Sequence, residues 1–327
     1  MAPQPSSRRD SKLKNLGEGL DFRAILERFG ILIGFIIFVV VATILEPRFL
    51  TPTNLLNVIR QVSIFGILAI GQTFIILTAG IDLSVGSVLA LAVVIVAQVL
   101  PDYGIVAAIL VGLAVGAVMG TINGLGVTIG KVQPFVMTLG MLGIARGLAF
   151  IFTGGMPIPV LDKNFLFIGN GYLLGVPVPA IIFVVFVLLA AFILRYTPFG
   201  RYVYAIGSNE EAARLSGVNV RLYKTLVYTL GGLMSGLAGI LYASQLAVGP
   251  PIAGEGYELD SIAAVVVGGT SLFGGDGGMF GTFLGAAIIG SMANILNLTG
   301  VSPFVQKLAK GLLIIAAVMI KARGRKS

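Results

Sequence analysis

The chain has no cysteine and no histidine, and only 11% of its 327 residues are charged. Without thiols or imidazoles there is no route to disulfides, to the usual zinc centres or to a histidine general base. What it has instead is hydrocarbon: 57% of the residues are apolar, and the mean hydropathy is +1.00. Soluble domains run at about 45–50% apolar and about 25% charged. A soluble fold has too little polar surface to cover this chain, so lipid is its solvent. The 45 glycines are roughly double the usual ~7% share and suit helices that pack closely in a bilayer. The net charge of +8 does not point to a nucleic-acid partner. Lys and Arg stand at the ends of hydrophobic stretches, where they set membrane topology.

A hydrocarbon core ~30 Å thick needs about 20 mostly apolar helical residues. Candidate spans are 30–45, 62–79, 85–100, 104–129, 134–152, 176–194, 225–248, 261–270, 279–298 and 304–320. The fold class expected is therefore an all-α integral membrane protein of about ten spans; the eighth is short and glycine-rich. Six Lys or Arg lie in residues 1–29, five in 195–224 and four in 321–327. These three segments are expected to be cytoplasmic. Six spans separate the first from the second and four the second from the third, so charge and span count agree. An uncleaved first span is expected, because residues 42–46 offer no small-x-small cleavage site. Residues 1–20, rich in Ser, Lys, Arg and Gly, are expected to be disordered in part. The expected layout is a cytoplasmic segment 1–29, one transmembrane domain 30–320 with a loop at 195–224, and a tail 321–327.

Residues 116–135 can be laid beside 285–304, aligning Asn123 with Asn294 and Pro134 with Pro303 within one-residue slips. Upstream of each lies an acid-bearing break, at 81–86 and at 258–263. Five spans per half would invert the second copy relative to the first, giving halves of about 30–170 and 176–320. Inverted repeats with interrupted helices near the midplane are common in transporters; chance likeness between glycine-rich helices is the plainer alternative.

Several stretches can carry chemistry. Residues 78–87 place Asp82, Ser84 and Ser87 between two apolar runs, with glycines that permit unwound backbone. An ionisable residue near hydrocarbon should face the bundle interior or water; capping of the next helix by Asp82 or Ser84 is the alternative, and the two are compatible. Glu255, Tyr257, Glu258 and Asp260 cluster where a polar solute or a partner protein can meet them, or they form a solvated loop with Asp260 as a cap. The glycine run 268–278 is not a P-loop, since the sole Gly-Lys pair, Gly130-Lys131, is followed by valine; a tight turn between helices is expected. In residues 199–217, Ser208 or Asn209 can cap a short helix with Glu210 and Glu211 in its first turn, and Gly217 can end it. Ala212, Ala213 and Leu215 would give that helix a small apolar surface, for docking a partner or for resting on the membrane.

At this point the residues resemble the membrane permeases of bacterial ABC importers for monosaccharides, and within them the ribose branch. The resemblance runs from about residue 45 to 318 and is strongest at 78–87, 194–217 and 253–275. In these permeases Glu-Ala-Ala-x-x-x-Gly marks a cytoplasmic coupling helix that docks on the ATP-hydrolysing subunit. Here Glu211-Ala212-Ala213 and Gly217 match, which implies an ATPase-coupling role for Ser208, Asn209, Glu210, Glu211, Ala212, Ala213, Arg214 and Gly217. Asp276 departs from the pattern, where a basic or small residue is expected.

The resemblance further implies a bacterial inner-membrane location with both termini cytoplasmic, lipid as surroundings, and a homodimer with a second permease copy. It also implies ABC ATPase subunits carrying ATP and Mg, a periplasmic sugar-binding protein, and transport by alternating access. It implies no cofactor on this chain and no enzymatic activity of its own. Polar residues in or beside the spans are expected to face the translocation path: Asp82, Ser84, Ser87, Asn123 and Asn294. Arg48, Arg60, Lys163, Glu255 and Glu258 are expected on the outer face, where they can meet the binding protein or anchor the membrane interface. A permease for branched-chain amino acids is the nearest rival. An ion-coupled secondary transporter would want carboxylates inside several spans, and this chain's acids are read at span ends.

Overall fold

The computed structural model describes residues 22–324, so the amino-terminal stretch 1–21, with its expected disorder, and residues 325–327 of the tail lie outside the described residues. Helix α1 (Phe22–Leu45) is followed by a 3-10 turn at Pro47–Leu50, α2 (Pro52–Leu77), α3 (Val85–Thr128) and α4 (Pro134–Thr153). Then come the short α5 (Lys163–Asn170), α6 (Val178–Tyr196), α7 (Pro198–Ser208), α8 (Glu210–Leu215), α9 (Val220–Leu246), α10 (Tyr257–Val267), α11 (Met279–Leu298) and α12 (Pro303–Gly324). Two-residue strands clip the loops together: 158–159 pairs with 248–249, and 172–173 with 176–177. By length and composition, α2, α3, α4, α6, α9 and α11 can each cross a membrane.

Helix α2 is the hub. Every residue from Val62 to Leu77 is buried, because α6, α9, α10 and α11 pack around it. A stretch buried all round must satisfy its own polar groups, and the hydroxyls of residues 62–77 do. Ser63 donates to the Ile59 carbonyl (2.6 Å), and Thr73 donates to the Ala69 carbonyl (2.7 Å) while meeting the Thr282 hydroxyl at 2.7 Å.

Helix α3 has 44 residues, about 66 Å if straight, more than twice the hydrocarbon core. It therefore turns back, at Pro101 and at Gly104, whose φ of 77° no side-chain-bearing residue adopts cheaply. The two arms match the expected spans 85–100 and 104–129. The first packs Val88 and Leu91 on Met141 and Ala145 of α4. The second lies along α9 on a small-residue seam: a Cβ on Gly124 would stand 2.8 Å from Thr225 Cα, and one on Gly120 3.0 Å from Gly232 Cα. Thr121–Thr229 (2.8 Å) and Thr128–Thr225 (3.0 Å) hydroxyl pairs stitch that seam. Close backbones joined by hydroxyls are how helices associate when lipid removes the hydrophobic drive.

The eighth expected span differs from expectation. Helix α10 has 11 residues, about 16 Å and half of a hydrocarbon core. It is a half-helix, beginning at Tyr257 after a chain that descends between the other helices. Residues 268–278 form the turn into α11.

Candidate functional site

The two acid-bearing breaks meet. Gly86, in the first turn of α3, lies against the carbonyl of Gly254 and the Glu258 carboxylate, so that a Cβ on Gly86 would collide with both. Behind this contact, Asp82 is 2% exposed and its carboxylate is fully engaged. Oδ1 accepts from the Ser84 N–H (2.7 Å) and the Ser84 hydroxyl (2.6 Å), and Oδ2 accepts from Asn123 Nδ2 (3.3 Å). Asn123 also donates to the Ser84 hydroxyl (2.9 Å), and Ser87 donates to the Ser84 carbonyl (2.8 Å). The Gln72 amide lies against the Asp82 backbone, and in the orientation that satisfies both ends its nitrogen donates to the Asp82 carbonyl (3.3 Å) and its oxygen accepts from the Asp82 N–H (3.1 Å). Four of the five residues expected along a path thus form one cluster, bonded among themselves. Asn294 is elsewhere, exchanging amide hydrogen bonds of 2.9 Å with Asn54.

Beside the meeting point the acids of 255–260 face three basic residues that the sequence did not single out. Arg146 of α4 donates from Nη1 to the carbonyls of Pro251 (2.7 Å) and Ala253 (2.9 Å) and feels the charges of Glu258 and Glu255. Lys310 of α12 pairs with Asp260 of α10 at 2.9 Å, and Lys307 approaches Glu255 at 3.9 Å. A cavity of about 380 Å³ opens between them, lined by Glu255, Tyr257, Glu258, Asp260, Lys307 and Lys310 among others. The signal was available: Arg146 falls inside 134–152, and Lys307 and Lys310 inside 304–320. Ionisable residues within apolar spans are functional candidates in their own right.

At the end of the bundle where α2 finishes, Asn209 caps α8, its Oδ1 accepting from the Ala212 N–H at 2.9 Å. Ser208 takes no part in that cap; it closes α7 by donating to the Tyr204 carbonyl (2.9 Å). Glu211 holds Arg214 across one turn (2.9 Å to Nε), which keeps the Glu211 carboxyl below its ordinary range. Glu210 is paired with Lys224 of α9 at 2.9 Å. Gly217, at φ +86°, reverses the chain, and the Val218 N–H returns to the Ala213 carbonyl (3.1 Å). Ala213 differs from the expected docking surface. It is buried against Ile206 and Val220 and anchors α8, while Ala212, Leu215 and Ser216 face outward.

This element is wired to the bundle. The Gly275 N–H donates to the Leu77 carbonyl at the end of α2 (3.0 Å), and Tyr204 of α7 donates to the Gly277 carbonyl (2.9 Å). Gly207 sits so close to the Leu77 carbonyl that it has no room for a Cβ.

The remaining candidates are scattered over the far end. Arg48 is exposed and paired with Glu46 at 2.8 Å, which holds the Glu46 carboxyl down at about 2. Arg60 bonds the Tyr172 hydroxyl and covers its ring at 5.1 Å. Lys163 is exposed at the start of α5, next to the Asp162 cap.

Comparison with known proteins fits this architecture. A family model described as branched-chain amino acid transport system / permease component matches residues 54–318. The ribose import permease RbsC of Bacillus subtilis is 47% identical over 304 residues, covering 92% of this chain and 94% of its own. RbsC of Haemophilus influenzae is 47% identical over 292 residues, 88% of this chain and 90% of its own. The L-arabinose transport system permease AraH of Escherichia coli is 36% identical over 302 residues, 91% of each chain. No solved structure matches. A bundle of apolar helices around a buried α2, matched along most of its length by import permeases, is a translocation component rather than an enzyme, and the chain belongs to the permease family of bacterial ABC importers.

Proposed function

We propose that this chain is the membrane subunit of an ATP-driven importer that moves a monosaccharide, with ribose as its cargo, by alternating access. Relatives named as ribose import permeases, 44–47% identical, support the cargo. The observation that carries the mechanism is the shape of α8: capped by Asn209, closed at Gly217 and anchored by buried Ala213, it presents Glu211, Ala212 and Leu215 outward. A six-residue helix cannot hold itself together in water. Held rigidly by the bundle, it suits a groove on an ATPase subunit that carries ATP and Mg.

In this reading residues 195–224 and both termini face the cytoplasm, and about ten spans form two inverted halves. Two copies of the permease enclose the path. Movement of the ATPases enters at α8 and passes through α7, Gly207 and the 268–278 turn to the end of α2. Asp82, Ser84, Ser87 and Asn123 shape the path wall at the break before α3, and Asn294 does so beside Asn54. Arg48, Arg60 and Lys163 serve the outer side, where a periplasmic sugar-binding protein delivers the cargo, while Glu255 and Glu258, expected there as well, line the way inward beside Lys307 and Arg146.

The test is uptake of labelled sugar into proteoliposomes holding this chain, its ATPase and its binding protein. ATP-dependent ribose uptake is expected. Uptake of a branched-chain amino acid instead would replace the cargo, and uptake driven by an ion gradient without ATP would overturn the mechanism.

A further inference from the structure

We propose that the cavity between α10 and α12, walled by Glu258, Asp260, Lys307 and Lys310 with Arg146 beside it, is a mid-membrane station that holds a neutral polyhydroxylated solute during passage. The proposal rests on the import reading above and names the residues that meet the cargo.

Depth is the first argument. Helix α10 runs from Tyr257 to the turn that packs on α7, so Tyr257 stands about 15 Å from that end of the bundle. Arg146 is twelve residues into α4, about 18 Å from the same end, and Lys310 is seven residues into α12, about 10 Å from the opposite one. In a core ~30 Å thick these positions converge near the middle. Solute sites of transporters gather at that depth, where broken helices begin, and both broken helices of this chain begin there.

Charge is the second. Glu255, Glu258 and Asp260 balance Arg146, Lys307 and Lys310, and the cluster carries no net charge. Ionised groups at this depth are costly unless paired, and the pairs Asp260–Lys310 and Glu255–Lys307 supply partners. A neutral solute can enter such a cluster without leaving any charge uncompensated, whereas an ion cannot. Its hydroxyls would donate to the carboxylates and accept from the lysines. Chemistry and size agree, for about 380 Å³ lies within the ~300–1,000 Å³ of small-molecule sites. Arg146 acts as a positioning residue, since both bonds it donates go to the backbone of the descending loop.

The absence of cysteine makes a direct test simple. Gly311 lines the cavity and has nothing within 4 Å of where a Cβ would stand, so Gly311→Cys places a single thiol on its wall. The full transporter carrying this variant is reconstituted, and thiol modification is timed with and without high D-ribose, before ATP is added. A Leu174→Cys transporter, modified at a fully exposed hairpin tip, is the control. Ribose is expected to slow modification at 311 several-fold, to leave 174 unchanged, and to lose its effect when Asp260→Leu and Lys310→Met are combined. Should Gly311→Cys fail to assemble, Leu259→Cys on the same wall takes its place. Equal rates with and without ribose, or equal slowing by leucine, would overturn the proposal. Wild-type uptake measured in the same preparation separates that result from a failure of the import reading.

Discussion

A Cβ added to Gly254 would stand 2.8 Å from the Gly86 carbonyl oxygen, so the chain that descends to α10 and the chain that opens α3 touch backbone to backbone. No side chain fits between them. Replacing Gly86 with leucine is expected to push the two breaks apart, since overpacking a tight contact costs about 1–3 kcal/mol. Gly86→Leu should lower the Tm of the purified complex and abolish sugar uptake. Gly34→Leu, at an exposed position with nothing within 4 Å, should change neither. Wild-type uptake by Gly86→Leu would refute the contact's importance.

Gly217 has open space around it, and its φ of +86° is what excludes other residues. The difficulty for a substituent is backbone conformation rather than collision. A β-branched residue there carries a strain of roughly 1–3 kcal/mol, whereas asparagine tolerates the left-handed region better. Gly217→Val should uncouple ATP hydrolysis from uptake, and Gly217→Asn should keep most of the coupling. If both variants transport normally, the turn has no part in docking.

Asp82 accepts hydrogen bonds from Ser84 and Asn123 inside the bundle. Removing it strands those donors, at a cost of about 1–3 kcal/mol for each buried group left without a partner. Asp82→Ala is therefore expected to lower the Tm, and Asp82→Asn, which keeps an acceptor toward Ser84, to lower it less. Asp82→Lys should abolish transport while ATPase binding survives, because α8 is built without Asp82. Loss of membrane insertion would instead assign Asp82 to folding alone.

Glu211 is held below the ordinary carboxylate range by the hydrogen bond from Arg214. A carboxylate depressed on folding adds stability that is fully present above its unfolded value, about 4.3, and is lost as pH falls through the lower folded one. The chain has no histidine to titrate near neutrality. Backbone hydrogen exchange at Gly217 and Val218, corrected for its intrinsic rate, should show constant protection through neutral pH and a loss only in acid. A loss centred near neutrality would contradict this.

Much of the fold was legible because lipid imposes simple rules. Apolar runs bounded by Lys, Arg, Pro or Gly became helices close to where they were expected, and the turn at Gly104 fell where two runs met. Much of α8 was legible, since Asn209, Glu211 and Gly217 act through local backbone geometry, but Ala213 was not, because its burial depends on Ile206 and Val220. The site was less so. Lys307 and Lys310 read as part of one more apolar helix until α10 stood beside them, and Arg146 had no visible partner because its acceptors are carbonyls 105 and 107 residues away.

The sequence alone determined the solvent, the helices and the capped turn of α8: composition excludes a water-soluble core, and capping and glycine geometry depend only on near neighbours. The tertiary structure alone decided which polar groups face one another. Asp82 is bonded into a buried cluster, Ala213 turns inward, and Asp260 meets Lys310. Such pairings join residues far apart in the chain, and whether a charge in a membrane is a cap, an anchor or a wall depends on what the packing places within a few ångströms of it.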